Sequence, residues 1–91
     1  MDRAIEVRVD GWVQGVGFRY ATLTEARRLG LSGWVRNEVA GAVTVWVQGE
    51  TEVVDRLSAW LRHGPPGAKV QDFRLTERQP DPALTGFNIR H

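Results

Sequence analysis

Apolar and polar residues trade places along this chain with two distinct periods. Near the start, Ile5, Val7 and Val9 alternate with Glu6, Arg8 and Asp10, the period of a strand with one buried face. The run Gly11 to Gly17 holds three glycines and reads as a loop. Phe18, Ala21, Ala26 and Leu29 then recur at roughly helical spacing, with Gly30 as the stop. Thr22 and Glu25 also fit a capping box, so the helix starts either directly after the loop or at Thr22. Leu31 to Asn37 reads as a second strand with Gly33, Val35 and Asn37 on one face. Val39-Ala40-Gly41 is a turn. Val43, Val45 and Val47 alternate with Thr44, Trp46 and Gln48 as a third strand, paired with the second as an antiparallel hairpin. Thr51 is the expected N-cap of the next element, with Glu52 and Asp55 near its positive end. Val53, Val54, Leu57, Trp60 and Leu61 form one apolar helical stripe, ended by His63-Gly64-Pro65-Pro66-Gly67. Val70, Phe73 and Leu75 suggest a fourth strand, with a phase break that predicts a bulge. Gln79 to Gly86 is irregular, and Phe87 and Ile89 predict a short last strand.

The predicted order is β-α-β-β-α-β plus a terminal strand. Two split βαβ units of this kind make an α+β, ferredoxin-like α/β sandwich: an antiparallel sheet with both helices on one face. The 91 residues give one domain, expected to span 1–91. Composition adds exclusions. With 42% hydrophobic and 25% charged residues the chain is not of disordered type. Its 12 basic and 11 acidic residues leave a net charge of +1, which gives no bulk-charge argument for nucleic acid or membrane as partner. Eleven of the basic residues are Arg and only Lys69 is Lys. The absence of Cys excludes disulfides, a thiolate nucleophile and Cys-ligated metal. No signal-peptide pattern or apolar run of the ~20 residues that span a bilayer is present, and a cytoplasmic location is expected.

Chemistry concentrates in Gln14-Gly15-Val16-Gly17-Phe18-Arg19, between a strand and a helix start. Glycines let successive amides turn toward one point, a helix N-terminus adds unpaired N–H groups, and Arg19 adds a charged donor fork. The arrangement suits a phosphate. No Walker A pattern fits, and the dinucleotide fingerprint fails because Tyr20 stands where its third glycine belongs. On spacing alone the cluster reads equally as a plain turn with Arg19 solvated.

Two blocks make the reading specific. Gly11-Trp12-Val13-Gln14-Gly15-Val16-Gly17-Phe18-Arg19 resembles the signature loop of the acylphosphatase family, Gly-x-Val-Gln-Gly-Val-x-Phe-Arg. Gly33-Trp34-Val35-Arg36-Asn37 resembles its second block, Gly-Trp-Val-x-Asn. Gly41-Ala42-Val43, the Gly64-Pro65-Pro66 segment and the terminal Phe87-Asn88-Ile89 continue the resemblance over essentially the whole chain. The resemblance implies a ferredoxin-like fold and hydrolysis of acyl phosphates to carboxylate and inorganic phosphate. It implies no cofactor and no metal. By position, Arg19 binds the phosphate, Asn37 positions the attacking water, and the loop from Gln14 through Gly15, Val16, Gly17 and Phe18 to Arg19 supplies phosphate-binding amides. The small-molecule acyl phosphate and inorganic phosphate are the expected partners, and a monomer is expected. His91 stands where the family often ends in an aromatic residue, a departure expected to touch terminal packing but not the site. Glu38 carries no assigned role.

The same residues admit other readings. RNA-recognition modules share the topology, but they carry basic and aromatic residues on the sheet, and the third strand lacks their basic-Gly-aromatic motif. An acylphosphatase-like front end of a carbamoyl-transfer protein, and a sensing dimer that binds without turnover, keep the loop and change the outcome. Trp12, Trp34, Trp46 and Trp60 read first as packing residues, and His63 as a helix-end residue. Two isolated His with no acidic partners in register do not suggest a metal site.

Overall fold

The computed structural model describes residues 2–91. In chain order the elements are β1 (Asp2–Trp12), α1 (Phe18–Arg28), β2 (Ser32–Asn37), β3 (Val43–Glu50), α2 (Thr51–Leu61), β4 (Lys69–Arg78) and β5 (Phe87–Arg90). They form one five-stranded sheet in the order β4-β1-β3-β2-β5. The first four strands pair antiparallel, whereas β5 runs parallel to β2. The sheet is therefore mixed rather than wholly antiparallel, because β5 returns through the irregular segment after β4 to the opposite edge.

Period-two patterning sorts the two faces. Ile5, Val7, Val9, Val35, Val43, Val45 and Val47 point to one side and are fully buried there. Both helices cover that side, α1 over β2 and β5, and α2 over β1 and β3. Phe18 and Ala26 from α1, and Val54, Leu57 and Leu61 from α2, fill the layer between. The other face carries the alternating polar residues. It also carries Trp34 and Trp46, stacked with ring centroids 6.4 Å apart, with Arg36 and Arg90 above the Trp34 ring. Trp60 packs tilted against Phe18. Trp12 departs from the packing expectation, standing 70% exposed at the end of β1.

Three local expectations meet the structure differently. The phase break in β4 is a bulge: Asp10 pairs with Asp72, Gly11 with Val70, and Gln71 is the extra residue. The second helix starts one residue earlier than expected, at Thr51 itself, with Glu50 in the extended N-cap position. The alternative start of α1 at Thr22 does not occur. Thr22 is buried in the helix and donates its hydroxyl to Phe18 O at 2.8 Å, back-bonding rather than capping.

Gly33 shows why the second block begins with glycine. A Cβ there would lie 1.8 Å from the backbone oxygen of Trp46 on the neighbouring strand. No side chain fits between β2 and β3 at that rung.

Candidate active site

The turn from β1 into α1 is built by two glycines in the left-handed region, Gly15 (φ 77°) and Gly17 (φ 75°). Gly17 is the N-cap of α1, with no side-chain cap and no acidic residue in the first turn. The first intrahelical bond runs from Ala21 N–H to Gly17 O at 2.9 Å. The amides of Phe18, Arg19 and Tyr20 precede it and have no partner within the helix. The positive end of α1 is thus uncapped and unneutralised, the condition in which a helix start receives an anion.

Arg19 lies in that first turn. Arg3, Arg8, Arg28, Arg36, Arg74 and Arg78 each hold a carboxylate, and Arg27 donates to Phe87 O. Among the described residues, no acid or acceptor takes up the Arg19 guanidinium. Asn37 ends β2 on its core-facing side, in register with Val35. That places it on the same layer as the start of α1, although the two are far apart in sequence. Both residues line one cavity of about 310 Å³, together with Val13, Gln14, Gly15, Gly17, Phe18, Tyr20, Ile89 and His91. Among the described residues, the Asn37 Oδ1 is buried and meets no hydrogen-bond donor.

Five of the loop residues expected at the site, Gln14, Gly15, Gly17, Phe18 and Arg19, line the cavity. Val16 does not: its side chain packs against the core. The Gln14 carboxamide donates to Glu38 O at 2.8 Å and to Ala42 O at 2.9 Å. Glu38 directs its carboxylate to Arg36, and hydrogen bonds from Thr44 and then Arg36 hold it below the ordinary glutamate range. It is not part of the cavity wall. Four wall residues were not foreseen: Val13, Tyr20, Ile89 and His91. Tyr20 is adjacent to Arg19 in the sequence, but its position carried no signal. His91 was expected to bear on packing alone, yet it reaches the wall because β5 runs beside β2 toward the same end. Among the described residues, no group of three or more His, Cys, Asp or Glu side chains gathers as a metal-binding set.

An uncapped helix start beside an arginine, on a two-layer α/β sandwich, places the chain among small proteins of ferredoxin-like fold with a site suited to an anion. Comparison with known proteins narrows it. The acylphosphatase family model matches residues 5–89. An acylphosphatase of Burkholderia lata is 51% identical over 90 residues, covering 96% of this chain and 92% of that protein. The crystal structure of acylphosphatase from Bacillus subtilis superposes with a TM-score of 0.93 at 34% identity, with full coverage of both chains. Full-length HypF, in a phosphate- and nucleotide-bound form, contains a segment alike at a TM-score of 0.90 and 25% identity. That segment covers the whole of this chain but 12% of HypF. The chain belongs to the acylphosphatase family, and its enzyme class is that of acyl phosphate hydrolysis.

Proposed function

We propose that the protein hydrolyses acyl phosphates by in-line attack of a water held by Asn37 on a phosphoryl group held by Arg19 and the loop amides. An acyl phosphate is a mixed anhydride whose leaving group is a carboxylate, a weak base, so no general acid is required. The remaining task is to hold the phosphoryl group, offset its charge and aim the water. The amides at the start of α1 and the unpaired Arg19 fork suit the first two. The Asn37 carboxamide, which lines the same cavity, holds the water by a hydrogen bond and fixes its lone pair toward phosphorus. Asn is no base, so the water's proton passes to a phosphate oxygen of the substrate as the P–O bond to the carboxylate breaks. The reading includes action as a monomer in the cytoplasm, without metal or nucleic acid.

The observation that carries the proposal is the single cavity that Arg19, Asn37 and the loop residues line together. The test is hydrolysis of benzoyl phosphate with and without a chelator, by the wild type and by Arg19→Ala and Asn37→Ala. Loss of one positioned donor lowers turnover by about 10²–10³, and at least that is expected for Arg19→Ala. Arg19→Lys is also poor, because a point charge cannot replace the fork. Full wild-type activity in chelator is expected. Near-normal activity in either folded alanine variant removes this site from the reaction. Carbamoyl phosphate run beside benzoyl phosphate separates a general acylphosphatase from a carbamoyl-specific one.

A further inference from the structure

The two halves of the site stand on different segments, and the sheet does not tie them together at this end. β3 lies between β1 and β2. The β1–β3 ladder stops at Val9 with Val43, and the β2–β3 ladder stops at Asn37 with Val43. Beyond those rungs the phosphate loop and the turn that follows Asn37 share no backbone rung.

One side chain spans the gap. The Gln14 carboxamide donates both its hydrogens, to Glu38 O and to Ala42 O. These are the same two carbonyls that close the turn after Asn37. Glu38 N–H donates to Ala42 O at 2.7 Å, and Gly41 N–H donates to Glu38 O at 3.2 Å. The carboxamide therefore stands in for the missing rung and grips the turn at both ends. Its anchor is in the anion loop, and its grip begins one residue past Asn37.

We infer that Gln14 is a positioning residue: its side chain sets the separation between the phosphoryl-holding loop and the water-holding Asn37. The inference rests on the hydrolytic reading above and concerns how that reading's two groups are held in line. Gln14 touches neither the water nor the phosphorus through its carboxamide in this arrangement. It contributes alignment, and alignment acts on kcat more than on anion binding.

Gln14→Met keeps the length and volume of the side chain and removes both donors. The expected result is a fall in kcat of about 10- to 100-fold, the scale of a misplacement of order 1 Å. The inhibition constant for inorganic phosphate stays within about twofold, because Arg19 and the loop amides are untouched. Arg19→Ala gives the converse, with phosphate inhibition lost. Because Gln14 acts through Asn37, the double variant Gln14→Met/Asn37→Ala is no slower than Asn37→Ala alone. Multiplicative losses, an unchanged kcat, or phosphate affinity falling in step with kcat each overturn the inference. Amide hydrogen exchange at Glu38 and Gly41 gives a readout independent of turnover: it speeds up in Gln14→Met if the clamp is real and is unchanged if it is not. Failure of the wild type to hydrolyse benzoyl phosphate overturns the hydrolytic reading instead, and leaves the exchange result to judge the clamp.

Discussion

At the scale of single residues the site is held by groups that the rest of the fold does not use. Asn37 shows this best. A buried acceptor without a donor costs about 1–3 kcal/mol, and its Oδ1 is such an acceptor. Asn37→Ala is therefore expected to reduce kcat strongly with a modest change in KM, while the thermal midpoint stays level or rises. That sign is opposite to the usual truncation of a buried side chain. Steady-state kinetics and calorimetry on one preparation check it, and a clear drop in Tm means that the carboxamide is structural. Arg19 and Asn37 differ in how far they can be read from the chain. Arg19 stands out by chemistry, a permanent charge after a glycine turn. Asn37 alone reads as a turn residue, and only its place in a recognisable block marks it. The strut made by Gln14 leaves no sequence signal, because a carboxamide bound to two carbonyls depends on a turn that pattern alone does not locate.

At the scale of elements, strand and helix periodicity located every element, and the phase slip near Val70 correctly announced the bulge. The start of α1 was ambiguous because Thr22 mimics a cap. The structure resolves it through burial, since a hydroxyl facing the core bonds back to Phe18 O. The parallel pairing of β5 was not legible, since four residues of alternating pattern do not encode direction. Close approach was equally hidden: Gly33 looks like any glycine until Trp46 O is found where its Cβ would be. Gly33→Ala is expected to cost at least about 3 kcal/mol, read as a lower urea midpoint or loss of soluble protein. The elements are also stitched by ion pairs. Arg3 of β1 holds Glu77 of β4 through two hydrogen bonds and also binds Asp55 of α2. Hydrogen bonds hold three carboxyls below the ordinary glutamate range: Glu77 through Arg3, Glu25 through Arg28, and Glu38 through Thr44 and then Arg36. Each binds its proton less tightly in the folded chain than in the unfolded one. Their contribution is complete above the unfolded value of about 4.3 and disappears as pH falls through the lower folded values. Tm is expected to be flat from neutrality to about pH 5 and to fall below about pH 4, more gently in high salt because exposed pairs are screened. A midpoint insensitive to acid means that these pairs contribute nothing.

At the scale of the molecule, strand order explains why the cavity sits where it does. β1 and β3, with their buried aliphatic faces, take the centre, and β4 lies at an edge with Lys69, Asp72, Arg74, Glu77 and Arg78 along it, charges that discourage edge-to-edge pairing. The layer between sheet and helices is apolar until it reaches one end, where β1 turns into α1, β2 stops at Asn37 and β5 brings in Ile89 and His91. There the start of α1, which has no side-chain cap, and the Arg19 guanidinium, which meets no carboxylate among the described residues, share one mouth. A tetrahedral dianion that binds there satisfies groups that the unfolded chain leaves to water, and mass action then stabilises the whole fold. Inorganic phosphate at about 100 times its dissociation constant raises stability by about 2.7 kcal/mol. For a domain of this size that corresponds to a rise in Tm of roughly 10–20 °C. Sodium chloride at matched ionic strength gives far less, since it screens charge without occupying the cradle. Arg19→Ala is expected to flatten the phosphate response while leaving the chloride response as in the wild type. Asn37→Ala keeps most of it, because the partner proposed for that residue is the water and not the anion. A phosphate-induced rise of equal size in Arg19→Ala means that the anion is bound elsewhere on the molecule, and the mouth of the α1 helix then loses its claim to the substrate.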